Sequence, residues 1–167
     1  MPPAKGGGME IFMDKSRTTK YEAAYDVSQV MKRCNYLLGE TEAVYHEIAW
    51  KFGLSDSAMK VLYTICDHGE SCPLQIICRH SGLSKQTVNS ALRKLEAEDI
   101  LYLEPAGAKN KNVCLTEAGK QLAERTAKRI IQAENEIFAS WPQEDMQKYL
   151  ELTERFLRSL QDKAKSF

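Results

Sequence analysis

From Val27 onward the apolar positions of the chain fall at helical spacing. Val27, Val30, Cys34, Leu37, Thr41, Val44 and Ile48 follow one another at steps of three and four. They form one narrow stripe on a helix from about Asp26 to Phe52, which Gly53 ends. A stripe so long and narrow suits packing against other helices, including those of another chain. Ser55 is placed to cap a second helix with Met59, Leu62 and Ile65 on its inner face and Gly69 as its stop. Pro73 opens a short third helix that stops at Gly82, and Ser84 caps a fourth that runs to about Glu98. The period then changes. "ILYLEP" and "KNVCLT" are short β-prone runs flanking the polar turn "AGAKNK", the pattern of a two-stranded hairpin. Thr116 caps a fifth helix with Leu115, Leu122, Ile130, Ala133 and Ile137 buried, and "SWPQEDM" breaks it. A sixth helix carries Met146, Tyr149, Leu150, Thr153, Phe156, Leu157 and Leu160 along one side. The expected fold is mainly α with a small β hairpin: long amphipathic helices at both ends, a compact unit between them, and no internal repeat.

Composition narrows the class without naming a chemistry. The 167 residues, 43% apolar and 28% charged, suit one ordinary globular domain. No apolar run approaches the roughly 20 residues of a membrane span, and the N-terminus lacks the pattern of a signal peptide, so a cytoplasmic location is expected. The opening "MPPAKGGG" reads as a flexible leader. With Met9 and Met13 as further starting points, residues 1–20 are expected to be an addition to the fold, not part of it. Five cysteines, with no Cys-x-x-Cys pair, point to free thiols and to no metal. His46-Glu47 starts like a zinc-protease helix, but Trp50 stands where the second His is needed. With no phosphate loop, nucleophile elbow or dinucleotide fingerprint, neither catalytic residues nor a cofactor are expected.

Charge is where the chain becomes specific. The 23 basic and 23 acidic side chains cancel overall. Yet from Ser71 to Leu95 there is no Asp or Glu, while Arg79, Lys85, Arg93 and Lys94 all fall inside. On the fourth helix Val88, Ala91, Leu92 and Leu95 make one apolar arc. The opposite side collects Gln86, Asn89, Ser90 and Arg93, with Lys85 and Lys94 at its margins. Side chains of these types read base edges and hold phosphates, and a carboxylate among them would repel the backbone of DNA. Cys78 supplies a small residue for a close helix crossing and Gly82 the turn of a helix-turn-helix, with Leu83 and Val88 inside the angle. The hairpin then matches a wing. The expected DNA contacts are Arg79, Ser84, Lys85, Gln86, Thr87, Asn89, Ser90, Arg93 and Lys94, with Lys109, Asn110 and Lys111 on the wing.

"LSKQTVNSALRKLEAEDIL", the hairpin and "LTEAGKQL" at 115–122, in that order, resemble the MarR family of bacterial winged-helix transcription regulators, over about Val27 to Leu160. The resemblance implies that the fourth helix is the recognition helix and that residues 55–116 form a winged helix-turn-helix that binds DNA. Residues 21–54 and 117–167 would dimerise, with Val27, Val30, Tyr149, Phe156, Leu157 and Leu160 in the interface. It also implies a homodimer on pseudo-palindromic double-stranded DNA, most simply a repressor released by a small-molecule effector. Tyr36, Tyr45, His46, Trp50 and Tyr63 are candidates for the effector pocket, or else core and interface aromatics. Family wings often carry an Asp-x-Arg element, whereas "AGAKNKN" has neither residue. Its lysines lack the planar fork of arginine, so phosphate contact is expected of them more than base reading. Cys34 is expected to pack as a small buried hydrophobe. Oxidant sensing through that thiol, or a winged helix used only for protein contact, are the alternatives.

Overall fold

The structure is a computed structural model that describes residues 26–107 and 110–167; the leader at 1–20 and Lys109 lie outside the described residues. The elements are α1 (Val27–Lys51), α2 (Asp56–Asp67), β1 (Ser71–Pro73), α3 (Leu74–His80), α4 (Lys85–Ala97), β2 (Leu101–Pro105), β3 (Lys111–Leu115), α5 (Glu117–Arg125), α6 (Ala127–Ala139) and α7 (Gln143–Ala164). Two compact units meet in the chain at Tyr45 and His46. No helix among the described residues is long and apolar enough to cross a membrane.

The first unit is the N-terminal part of α1. Its stripe is exposed: Val27, Val30, Leu37 and Val44 all present their side chains to solvent. Cys34 is exposed with them, which corrects its reading as a buried hydrophobe. Its helical phase was right, but the stripe that carries it is not covered.

The second unit is built around α2. The Ser55 hydroxyl accepts from the Ala58 N–H and caps this helix. Along it Val61, Leu62 and Ile65 are fully buried, joined by Ile77 of α3, Val88 and Leu95 of α4, Leu101 of β2 and Val113 of β3. α2 packs against α4 on one side and α6 on the other. No buried side-chain nitrogen or oxygen among the described residues lacks a partner, as a well-formed core requires.

The expected two-stranded hairpin is one part of a three-stranded antiparallel sheet in the order β1-β3-β2. Val113 pairs with Leu103 on one side and with Cys72 on the other. Pro73 ends β1 and stands at the N-cap of α3, outside the first turn where it was expected. The expected fifth helix is likewise two. Thr126 leaves helical geometry at φ −131°, ψ −93°, while its hydroxyl donates to the Leu122 carbonyl at 2.6 Å. The break resets the helical phase. Ala123, Ala127 and Ile130 are buried, whereas Ala133 and Ile137, expected inside, are exposed and Leu122 is half-buried.

α7 buries none of its residues. Tyr149, Leu150, Phe156, Leu157 and Leu160 are each about half exposed, a continuous apolar side. At its start Tyr149 packs edge-on against Phe138 and Trp141, which brace the α6–α7 corner.

Candidate nucleic-acid interface

α4 is fixed at both ends. Ser84, extended at φ −63°, ψ 150°, accepts the Thr87 N–H at 3.1 Å through its hydroxyl, which also lies 2.8 Å from that of Thr87. At the other end the Ile100 N–H reaches the Leu95 carbonyl and the Asp99 N–H the Glu96 carbonyl, with Asp99 in the left-handed region at φ 57°. This is a complete Schellman closure with Asp where Gly is usual. Gly82, at φ +67°, makes the turn from α3 into α4 as expected.

The two sides of α4 divide as its sequence predicts. Val88, Ala91, Leu92 and Leu95 are buried, while Lys85, Gln86, Thr87, Asn89, Ser90, Arg93 and Lys94 are exposed. Arg79 of α3 and Asn110 and Lys111 of the wing are exposed too. An open groove of ≈ 1020 Å³ brings several of these together. Gln75, Cys78 and Arg79 line it from α3, Lys85, Asn89, Arg93 and Glu96 from α4, and Leu103, Asn110 and Lys111 from the wing. Gln86, Thr87, Ser90 and Lys94 are not among its lining residues.

The groove also differs electrostatically from its surroundings. Among the described residues Arg79, Lys85, Arg93 and Lys111 are in no ion pair, while elsewhere on this unit Lys51 is held by Glu47 and Lys120 by Glu70, both at 2.7 Å. An unpaired cation meets a phosphate without first giving up a carboxylate. Lys94 is the exception on the face, its ammonium 4.0 Å from Glu98. The acid-free run ends at the groove itself, since Glu96 lies in its wall.

Gln75 was not anticipated. Its amide Nε2 donates to Oδ1 of Asn110 at 3.0 Å and ties the first turn of α3 to the turn of the wing. The two residues are 35 apart in the chain, and no local pattern signals such a pair.

The aromatic candidates take separate partners. Tyr36 is exposed with the Lys32 ammonium 5.7 Å from its ring centre, and Tyr45 is half-buried. Trp50 is 75% exposed. His46 places Nδ1 2.8 Å from the Asp56 carboxylate, and the half-buried Tyr63 donates its hydroxyl to Glu134 of α6. Burial pushes the thiols of Cys66 and Cys72 up to about 11. Burial and then the nearby Glu104 carboxylate raise that of Cys114. Thiols held protonated in this way are poor nucleophiles. Among the described residues no group of three His, Cys, Asp or Glu is placed to hold a metal ion.

Residues 52–109 match the sequence model of the MarR family. No curated protein matches the chain by sequence. Among solved structures it is similar to NMB1585, a MarR family regulator from Neisseria meningitidis, with a TM-score of 0.66 and 21% identity over 85% of this chain and 97% of that one. Reduced AbfR bound to DNA gives a TM-score of 0.56 at 23% identity, over 86% of this chain and 99% of that one. BpsR of Bordetella bronchiseptica, whose DNA binding is regulated by 6-hydroxynicotinic acid, gives 0.55 at 19% identity, over 74% and 98%. Residues 52–109 thus match the MarR family by sequence, and the chain has the winged-helix fold of solved MarR family regulators.

Proposed function

We propose that the protein is a homodimeric, sequence-specific DNA-binding regulator, a cytoplasmic repressor whose hold on its operator is released by a small-molecule effector. The observation that carries this reading is the groove between α3, α4 and the wing, ringed by four cations that make no ion pair among the described residues. Arg79, Lys85 and Lys111, with Lys109, hold phosphates, while Gln86, Asn89, Ser90 and Arg93 discriminate bases in the major groove. The Ser84 and Thr87 hydroxyls set the first turn of α4 against the backbone. Residues 55–116 do this work, while 21–54 and 117–167 join two copies, covering Val27, Val30, Tyr149, Phe156, Leu157 and Leu160. AbfR, solved bound to DNA, and BpsR, regulated by an aromatic acid, support the DNA and effector parts of the reading. Tyr36, Tyr45, His46, Trp50 and Tyr63 are the residues proposed to meet the effector.

The test is selection of bound sequences from random duplex DNA. A palindrome with half-sites about one helical turn apart is expected, and log affinity should fall with log salt by about 0.9 per neutralised phosphate. No enrichment, with no salt-sensitive binding, would leave the winged helix as a protein-contact module.

A further inference from the structure

The ladder between β1 and β3 ends at Pro73, opposite Asn112. The chain turns into α3 at Leu74, so the backbone carries the pairing no further along β3 toward the tip of the wing. The side chain of Gln75 takes over two residues on, donating to Asn110 at 3.0 Å. Asn110 is also the residue whose carbonyl accepts the Ala106 N–H at 2.9 Å and closes the wing turn. Gln75 therefore grips the wing at its closing residue, one position before Lys111, whose side chain lines the groove.

We infer that the Gln75–Asn110 pair is a latch that positions the wing beside the recognition helix and so places Lys111 against the phosphate backbone. The inference rests on the DNA-binding reading above. A two-stranded ribbon is marginally ordered by itself, and ordering it only on contact with DNA weakens binding. A lateral tie made before DNA arrives removes that loss. It matters more here because the wing offers a lysine, a compact charge on a long flexible stem, where a forked arginine would fix its own geometry. Gln75 is a positioning residue and need not touch DNA.

The experiment is equilibrium binding and hydroxyl-radical footprinting on the selected operator, with Q75A, N110A, K111A and their pairwise combinations. Q75A and N110A should each weaken binding about three- to tenfold, the worth of one hydrogen bond, and together no more than either alone. Protection should fade where the wing lies and persist under α4. K111A should cost less in the Q75A background than in the unsubstituted protein. The thermal midpoint should stay unchanged, since both latch residues are exposed. Unchanged affinity and wing protection in Q75A, or additive losses in the double variant, would overturn the latch while leaving DNA binding intact. Absence of salt-sensitive DNA binding by the unsubstituted protein would overturn the functional reading and the latch together.

Discussion

The carbonyl of Ile100 occupies the space where a side chain at Gly119 would begin: a Cβ built there stands 1.9 Å from the Ile100 oxygen. The first turn of α5 is thus pressed onto the bend that joins α4 to the wing. Thr116 fastens the same place, its hydroxyl donating to the Asp99 carbonyl at 2.6 Å and accepting the Gly119 N–H at 3.0 Å. Gly119→Ala must push backbone from backbone, which costs about 1–3 kcal/mol or more. A lowered midpoint in chemical denaturation is expected. An unchanged one would mean that α5 is free to shift outward.

Arg93 and Lys94 are neighbours in unlike circumstances, one without an ion pair among the described residues and one drawn toward Glu98. Arg93→Ala should cost about 1–3 kcal/mol of operator binding if it holds a bidentate base contact, and Lys94→Ala should cost less. Competition between operator and random DNA separates the possibilities. Equal loss on both would make Arg93 a phosphate clamp.

The apolar side of α7 predicts the oligomeric state. With Phe156 and Leu160 about half exposed on the single chain, an Asp at either position would bury a charge in the proposed interface, at a cost of several kcal/mol. Sedimentation should show a dimer becoming a monomer whose circular dichroism keeps its helical signal. A monomeric unsubstituted protein would contradict the assignment.

Cys66 and Cys72 give a pH signature. Their folded thiols, raised to about 11, lose protons later than unfolded ones, which do so near 8.5. The fold favours the protonated form, so this contribution is complete below the unfolded value and is lost as pH climbs toward about 11. Denaturation midpoints should fall across that alkaline window, less steeply in Cys66→Ser. Alkylation near pH 8 should leave both thiols unlabelled until denaturant is added, because only about one in a thousand is ionised.

What the sequence disclosed follows the range of its signals. α4 was legible because Ser84, the Val88–Leu95 arc and the polar opposite face all lie within fifteen residues and obey one period. β1 was not: three residues with only Cys72 buried are too few to show alternation. The break at Thr126 has no proline or glycine to announce it, since the departure comes from a buried threonine whose hydroxyl turns back to Leu122. Cys34 was given the right face and the wrong environment, because periodicity names a stripe and not what covers it. The basic face could be read from Arg79 to Lys94, but the pairing of Gln75 with Asn110 joins distant segments and exists only once the sheet has formed.

Both outer strands of the sheet end in proline, β1 at Pro73 and β2 at Pro105. An open edge invites another strand to add to it, and a proline there denies the newcomer a donor. Crowded copies of this protein should therefore keep their sheets separate, with fibril formation and strand exchange both discouraged by two prolines.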